Sequence, residues 1–259
     1  MKNAFLFTQL HHILNSVLEN HSRSAIVTPE GEALYVRSET LSDIATLPAT
    51  ALTCMQYLSL GDGDVGLCND PYSGGGILSN FSLVAGVSLS GDRNKNTASK
   101  AMPSKAPDVL IVIKLSLKPR VTNSSQLDDE GLRIPPTPIV VNGELNHDIF
   151  SAMAAHPKFP KELTEALPSA IEKLRLIKEL FRESLRESRI ELSKQEIKEF
   201  LKVSAEKARA LVHELAAGEA GAEFEISSNE KLKVRTEIHD DKITFDFSGS
   251  DVGTTHFLT

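Results

Sequence analysis

Between residues 61 and 80 the chain reads Gly-Asp-Gly-Asp-Val-Gly-Leu-Cys-Asn-Asp-Pro-Tyr-Ser-Gly-Gly-Gly-Ile-Leu-Ser-Asn, and few local structures accept such a run. The apolar segment 65–68 predicts a short strand that runs into Asn69-Asp70-Pro71. Pro71 fixes its own φ and pushes Asp70 into an extended conformation, so the carboxylate is held at a strand end. Gly74, Gly75 and Gly76 follow, and glycine serves where backbone must take a positive φ or approach another group closely. A second apolar run, 81–89, completes a β-loop-β unit that presents Asp70 and the glycines. A plain surface turn between two strands accounts for the same residues equally well.

The rest of the chain fits an α+β protein around that unit. An amphipathic helix opens the chain, with Phe5, Leu6, Ile13, Leu14, Val17 and Leu18 at helical spacing and an end near Asn20. Residues 24–36 read as a hairpin turning at Pro29-Glu30-Gly31, and 41–60 as a helix ended by the glycines at 61 and 63. Residues 91–105 are polar and without periodicity, which predicts an exposed, mobile loop. The run 109–117 is apolar enough for a central strand. Residues 134–138 are extended by their prolines, and Asn142-Gly143 is a tight-turn signal after a strand at 139–141. Residues 161–217 predict a helical hairpin. Leu167, Ile171, Leu174, Ile177, Phe181 and Leu185 form its first stripe, with Pro168 tolerated at a helix start. Ser193 and Glu196 form a capping box for the second helix, which should stop at Gly218. From Phe224 the pattern alternates through Leu232, Val234, Ile243, Phe245 and Phe247. That predicts an antiparallel meander with one buried face and Asp246 on the other. The expected regions are 1–150, rich in strand; 151–220, helical; and 221–259, the meander, packed as one domain or as a truncated one.

Composition narrows the function classes. The chain is 41% hydrophobic and 24% charged with a net charge of −7, an ordinary globular balance that disfavours a general role on nucleic acid or on an anionic membrane. The Lys and Arg residues between 173 and 209 alternate with Glu, as on a solvated helix face. Cys54 and Cys68 lie in apolar surroundings without metal-ligand spacing and read as buried free thiols in a reducing compartment. With no signal-peptide core at the N-terminus and no run long enough to span a bilayer, a cytoplasmic location is expected.

Asn69-Asp70-Pro71-Tyr72 with Gly74-Gly75 resembles the Asn-Asp-Pro-Tyr-x-Gly-Gly-Thr-His-Leu-x-Asp signature of the hydantoinase B/oxoprolinase family. Three more stretches are similar to that family in the right order. They are 25–34 with its Pro29-Glu30-Gly31 turn, Glu130-Gly131 running into Ile134-Pro135-Pro136, and Asp246-Phe247-Ser248-Gly249-Ser250. The resemblance implies one large subunit or domain of an ATP-dependent cyclic-amide hydrolase or of an acetone-type carboxylase, which uses a divalent metal and an ATP-binding companion subunit. The departures fall on the polar positions. Ile77 and Asn80 stand where the family signature has His and Asp, and Thr50 stands at the His of an Ile-Pro-x-His-Leu-Gly segment. No histidine lies between Asp108 and Glu130, where a His-His-x-Asp-x-Gly-Gly motif belongs.

A metal site needs several N or O donors converging at about 2.0–2.3 Å. Ile77 has no lone pair to give, and Asn80 only a neutral carbonyl. Asp70, Glu130 and Asp246 remain as candidate catalytic carboxylates, one on each of three motifs. Two functions follow. One is an active hydrolase or carboxylase subunit. The other, favoured here, is a divergent non-catalytic member that keeps the family scaffold as a structural or assembly subunit, with no cofactor and no metal of its own. The chain stops at Thr259 where family members continue, so a companion subunit or self-association is expected. A truncated form, or one half of a split protein, is compatible with either.

Overall fold

The strand read from residues 65–68 is an inner strand of a seven-stranded antiparallel sheet in the computed structural model, which describes residues 2–19, 22–88, 107–118, 130–188, 193–227 and 230–251. The chain divides into two compact units, 1–191 and 192–259. In the first, α1 (Lys2–Val17) precedes a hairpin of β1 (Arg23–Val27) and β2 (Ala33–Arg37). Helix α2 (Leu41–Leu58) leads to β3 (Val65–Cys68), a single 3-10 turn (Pro71–Ser73) and β4 (Asn80–Val87). Then come β5 (Val109–Ser116), β6 (Thr137–Val141), the short β7 (Glu144–Leu145), α3 (His147–Ala154) and the long α4 (Lys161–Glu187).

The sheet order is β2-β1-β5-β4-β3-β6-β7. Both faces are covered, which explains why β4 and the first six residues of β5 are buried throughout and read as continuous apolar runs. On one face α2 packs Leu47, Ala51 and Cys54 onto Ala25, Val27, Val84, Leu110 and Val112. The alternate residues Ile26, Leu67, Leu83, Ile111 and Ile113 are buried too. α4 packs against β4, β5 and α1 and contributes Leu163, Leu167, Ile171, Leu174, Ile177 and Phe181. The turn between β6 and β7 has Asn142 and Gly143 at φ 52 and 84, as a two-residue hairpin requires.

Two local expectations are corrected. α2 ends not at a glycine but at Ser59, which takes the left-handed cap position with φ 49 and donates its N–H to Met55. Pro168 lies inside α4 rather than at its start. A proline there removes one intrahelical bond, and the turns before it are anchored by the buried Leu163 and Leu167. α4 is also fastened from its polar side, where Lys178 and Arg182 both reach the carboxylate of Asp62, at 2.8 and 2.5 Å. Burial would raise the Asp62 pKa, but the Lys178 and Arg182 contacts outweigh it and hold the group below its ordinary value. The loop expected at 91–105 lies outside the described residues.

In the second unit, α5 (Lys194–His213) opens with the Ser193/Glu196 capping box. β8 (Gly218–Ser227), β9 (Glu230–His239) and β10 (Lys242–Asp246) form a meander in the order β10-β9-β8. α5 stops at His213, so Leu215 falls outside it, and Gly218 begins a strand instead of ending a helix. The register puts Phe224, Leu232, Val234, Phe245 and Ile238 on one face of this sheet, with a charged ladder of Glu223, Lys231, Lys233, Arg235 and Glu219 on the other. The apolar face is not buried as expected. Phe224 is 56% and Phe245 61% exposed, and Leu232 and Val234 are half-buried, because α5 packs along β10 without covering the whole sheet.

Candidate functional site

β3 delivers Asn69 into the interior, where its side chain is fully buried and makes three hydrogen bonds. Nδ2 donates to the carbonyls of Leu78 at 2.8 Å and Leu132 at 2.9 Å, and Oδ1 accepts from the N–H of Ile134 at 2.6 Å. The backbone N–H groups of Asn69 and Asp70 both reach the Ile134 carbonyl. One amide thus joins the strand end, the far side of the glycine loop and the segment before Pro135-Pro136. Asp70 follows and caps the 3-10 turn. Its Oδ1 accepts from the Tyr72 N–H and its Oδ2 from the Ser73 hydroxyl, both at 3.1 Å. Pro71 occupies the first turn position, where a missing N–H does no harm. Tyr72 is exposed, with the Arg133 guanidinium 5.8 Å from its ring centre.

The glycines have separate reasons. Gly74 has φ 81, and a Cβ there would lie 2.8 Å from the Thr50 nitrogen. Gly75 needs no special φ, but a Cβ on it would lie 2.4 Å from the carbonyl carbon of Asn69, with its own N–H bonded to the Asp70 carbonyl. The loop is thus folded back onto its own beginning and onto α2. Thr50, buried on α2, has its hydroxyl 2.6 Å from the Gly74 carbonyl and 2.8 Å from that of Thr46, so its single proton serves one or the other. Thr50, which stands where the resemblance has the His of a separate segment, thus lies against the glycine loop. Ile77, by contrast, is 42% exposed, and Asn80 is buried at the start of β4.

Beneath the loop lies a polar row that the sequence reading did not name. Cross-strand register aligns Arg23, Lys114, Ser82 and Cys68 on the α2 face of β1, β5, β4 and β3. The Lys114 ammonium is buried and bonds the Asp43 carboxylate at 2.6 Å and the Thr46 hydroxyl at 3.1 Å. Asp43 also accepts from Ser38 and Thr40, and Arg23 Nε stands 3.4 Å away. Burial raises the Asp43 pKa, but the bonds from Lys114, Ser38 and Thr40 outweigh it, so the carboxyl titrates below its usual range. Ser82 Oγ is buried without a hydrogen-bond partner among the described residues. The lysine interrupting Val-Leu-Ile-Val-Ile-Lys-Leu was the visible signal. Cys54 and Cys68 are buried and free, as expected; their mutual hydrogen bond, and burial after it, push the Cys54 thiol well up in pKa, so it stays protonated.

The other two candidate carboxylates lie elsewhere. Glu130 lines a cavity of about 720 Å³ with Leu78, Phe81, Lys118 and Phe159, where β4 begins and β5 ends. Asp246 belongs to the second unit, where it is exposed and accepts from the Ser248 N–H; the Ser248 side chain, and after it this N–H, hold its pKa low. Among the described residues, no three of His, Cys, Asp or Glu converge as metal ligands do. The histidine-free segment expected at 118–130 lies outside the described residues from 119 to 129.

The described residues around the loop do not fit a divalent metal. Thr50 is committed to backbone carbonyls, Ile77 points outward, and Asp43 already carries a lysine and an arginine. What the arrangement does is hold a folded-back backbone turn in one conformation.

The sequence profile of the hydantoinase B/oxoprolinase family matches residues 16–258. An uncharacterized protein of Methanocaldococcus jannaschii is 24% identical over 161 residues, a match covering 59% of this chain and 27% of that one. The ATP-dependent caprolactamase from Pseudomonas jessenii superposes with a TM-score of 0.76 at 15% identity, covering 94% of this chain and 45% of its own. Acetone carboxylase in its nucleotide-free structure gives 0.70 at 12% identity, covering 96% and 37%. This chain therefore spans less than half the length of the proteins it matches. Among the described residues no helix is long and apolar enough to cross a membrane.

Proposed function

The chain belongs to the hydantoinase B/oxoprolinase family, and from that premise we propose that it is a non-catalytic member, a structural or assembly subunit built on the family scaffold. One observation carries the reading. The backbone devices of the signature loop are complete, while Asn69, Asp70, Thr50 and Asp43 in and around it are engaged with protein instead of being free to bind a metal or substrate. Asn69, Asp70, Pro71 and Gly75 each satisfy a local structural need. Thr50, Ile77 and Asn80 supply no imidazole or carboxylate.

The partner is a companion polypeptide or a second copy of the chain. The exposed apolar face of the second unit, with Phe224 and Phe245 more than half accessible and Phe247 close by in sequence, supports association. The test uses the purified chain with ATP and either 5-oxoproline or a hydantoin, with and without manganese(II), alongside metal analysis and light scattering. No turnover, no stoichiometric metal and a species larger than the monomer are expected. Turnover would establish the alternative, an active hydrolase or carboxylase subunit. A monomer that recovers no companion would overturn the assembly role.

A further inference from the structure

We propose that the Lys114 ammonium is a tethered cation that organises the signature loop from beneath. The inference deepens the reading above and rests on it for the absence of a metal. Its basis is the surroundings of one atom. Lys114 Nζ lies between the Asp43 carboxylate at 2.6 Å and the Thr46 hydroxyl at 3.1 Å, and 3.7 Å from where a Cβ on Gly76 would stand. Thr46 in turn offers its carbonyl to Thr50, whose hydroxyl also meets the Gly74 carbonyl. The contacts thus run from the ammonium through α2 to the glycines.

The neighbouring groups are oxygen-rich. Ser82, the cross-strand partner of Lys114, keeps a buried hydroxyl with no partner among the described residues, and Asn80 stands two residues before it on the same face of β4. One carboxylate and several hydroxyls suit a hard cation, and here the cation is supplied by the chain itself. Two further facts disfavour a divalent ion beside it. Asp43 is the carboxylate of this row and is shared by Lys114 and Arg23. A buried ammonium also repels a second cation at contact distance far more strongly than an exposed one would.

A salt bridge that merely docks α2 on β5 would be insensitive to which cation fills the position. The experiment is therefore a thermal-unfolding and hydrogen-exchange comparison of the full chain, wild type against Lys114→Ala, without addition and with magnesium(II), manganese(II) or methylammonium. Wild type is expected to be unmoved by any of the three. In Lys114→Ala the amides of residues 70–78 should exchange roughly tenfold faster, and an added cation should restore part of that protection. The double variant Asp43→Asn/Lys114→Met, which carries no buried charge, covers the case in which the single variant does not fold. It should fold with a loosened loop that no cation rescues. A rise in wild-type midpoint with manganese(II) overturns the proposal, as does unchanged loop exchange in the alanine variant, or in the double variant if the alanine variant does not fold. Catalytic turnover by wild type would defeat the non-catalytic reading but leave these exchange results standing.

Discussion

Replacing Asn69 by alanine should be among the most damaging single changes in the first unit, and its size can be worked from three bonds. Two of them, to the Leu78 carbonyl and from the Ile134 N–H, are buried; the third, to the Leu132 carbonyl, is partly accessible. A buried group left without its partner costs about 1–3 kcal/mol, and a bond whose partner can turn to water about 1 kcal/mol. The expected loss is therefore about 3–7 kcal/mol, a large part of the roughly 5–15 kcal/mol that holds a domain together. With a urea slope of about 2–3 kcal/mol per molar, the midpoint should fall by about 1–3.5 M. Circular dichroism during urea unfolding measures this. Exchange mass spectrometry should show protection lost jointly in 69–78 and 131–136, because the amide ties those segments together. A loss under about 1 kcal/mol, or loosening confined to one segment, would refute the assignment of Asn69 as the staple between them.

Three other outcomes follow from the same region. Asp70→Ala should lower stability by about 1–2 kcal/mol, comparable with the loss of a helix cap, read as a shift in unfolding midpoint. Gly75→Ala should cost more than about 2 kcal/mol, because its Cβ would meet the Asn69 backbone and not a yielding side chain; an unchanged melting temperature would contradict the loop geometry. The folded-state pKa of Asp43 is depressed, so its contribution is fully present above the ordinary carboxylate value of about 3.9 and is lost as pH falls through the folded value below that. The stability gap between wild type and Asp43→Asn, measured by urea unfolding across pH, should accordingly be flat at neutral pH and close only below about pH 4.

Local signals read well where the cause is local. The β-loop-β unit, the Asn142-Gly143 turn and the Ser193/Glu196 box were each legible because the residues that make them lie within a few positions of one another. The Asp43–Lys114 pair was not, since its partners are 71 residues apart and meet only once β5 is placed under α2. Pro168 misled for the related reason that packing of Leu163 and Leu167 outweighs a local helix-breaking preference. In the meander, alternation identified the apolar face correctly but could not say whether anything covers it. Phe224 and Phe245 are side chains whose burial depends on elements far from them in sequence.

The signature loop separates two demands that a motif usually combines. Gly75 is required by a backbone approach, Gly74 by its positive φ, Pro71 by the turn it opens and Asn69 by three backbone groups that would otherwise be stranded. None of these needs involves a ligand, so a chain that no longer carries out the chemistry would still be held to them by stability. The positions free to change are those whose side chains meet no backbone need. Ile77 is one, sitting partly exposed where an imidazole would be the family choice. Thr50 differs from it, its hydroxyl bonding to the carbonyl of the glycine that packs against it. With a lysine already balancing Asp43 below them, placing a histidine at either position would add a donor but not a vacant carboxylate beside it, as a metal needs.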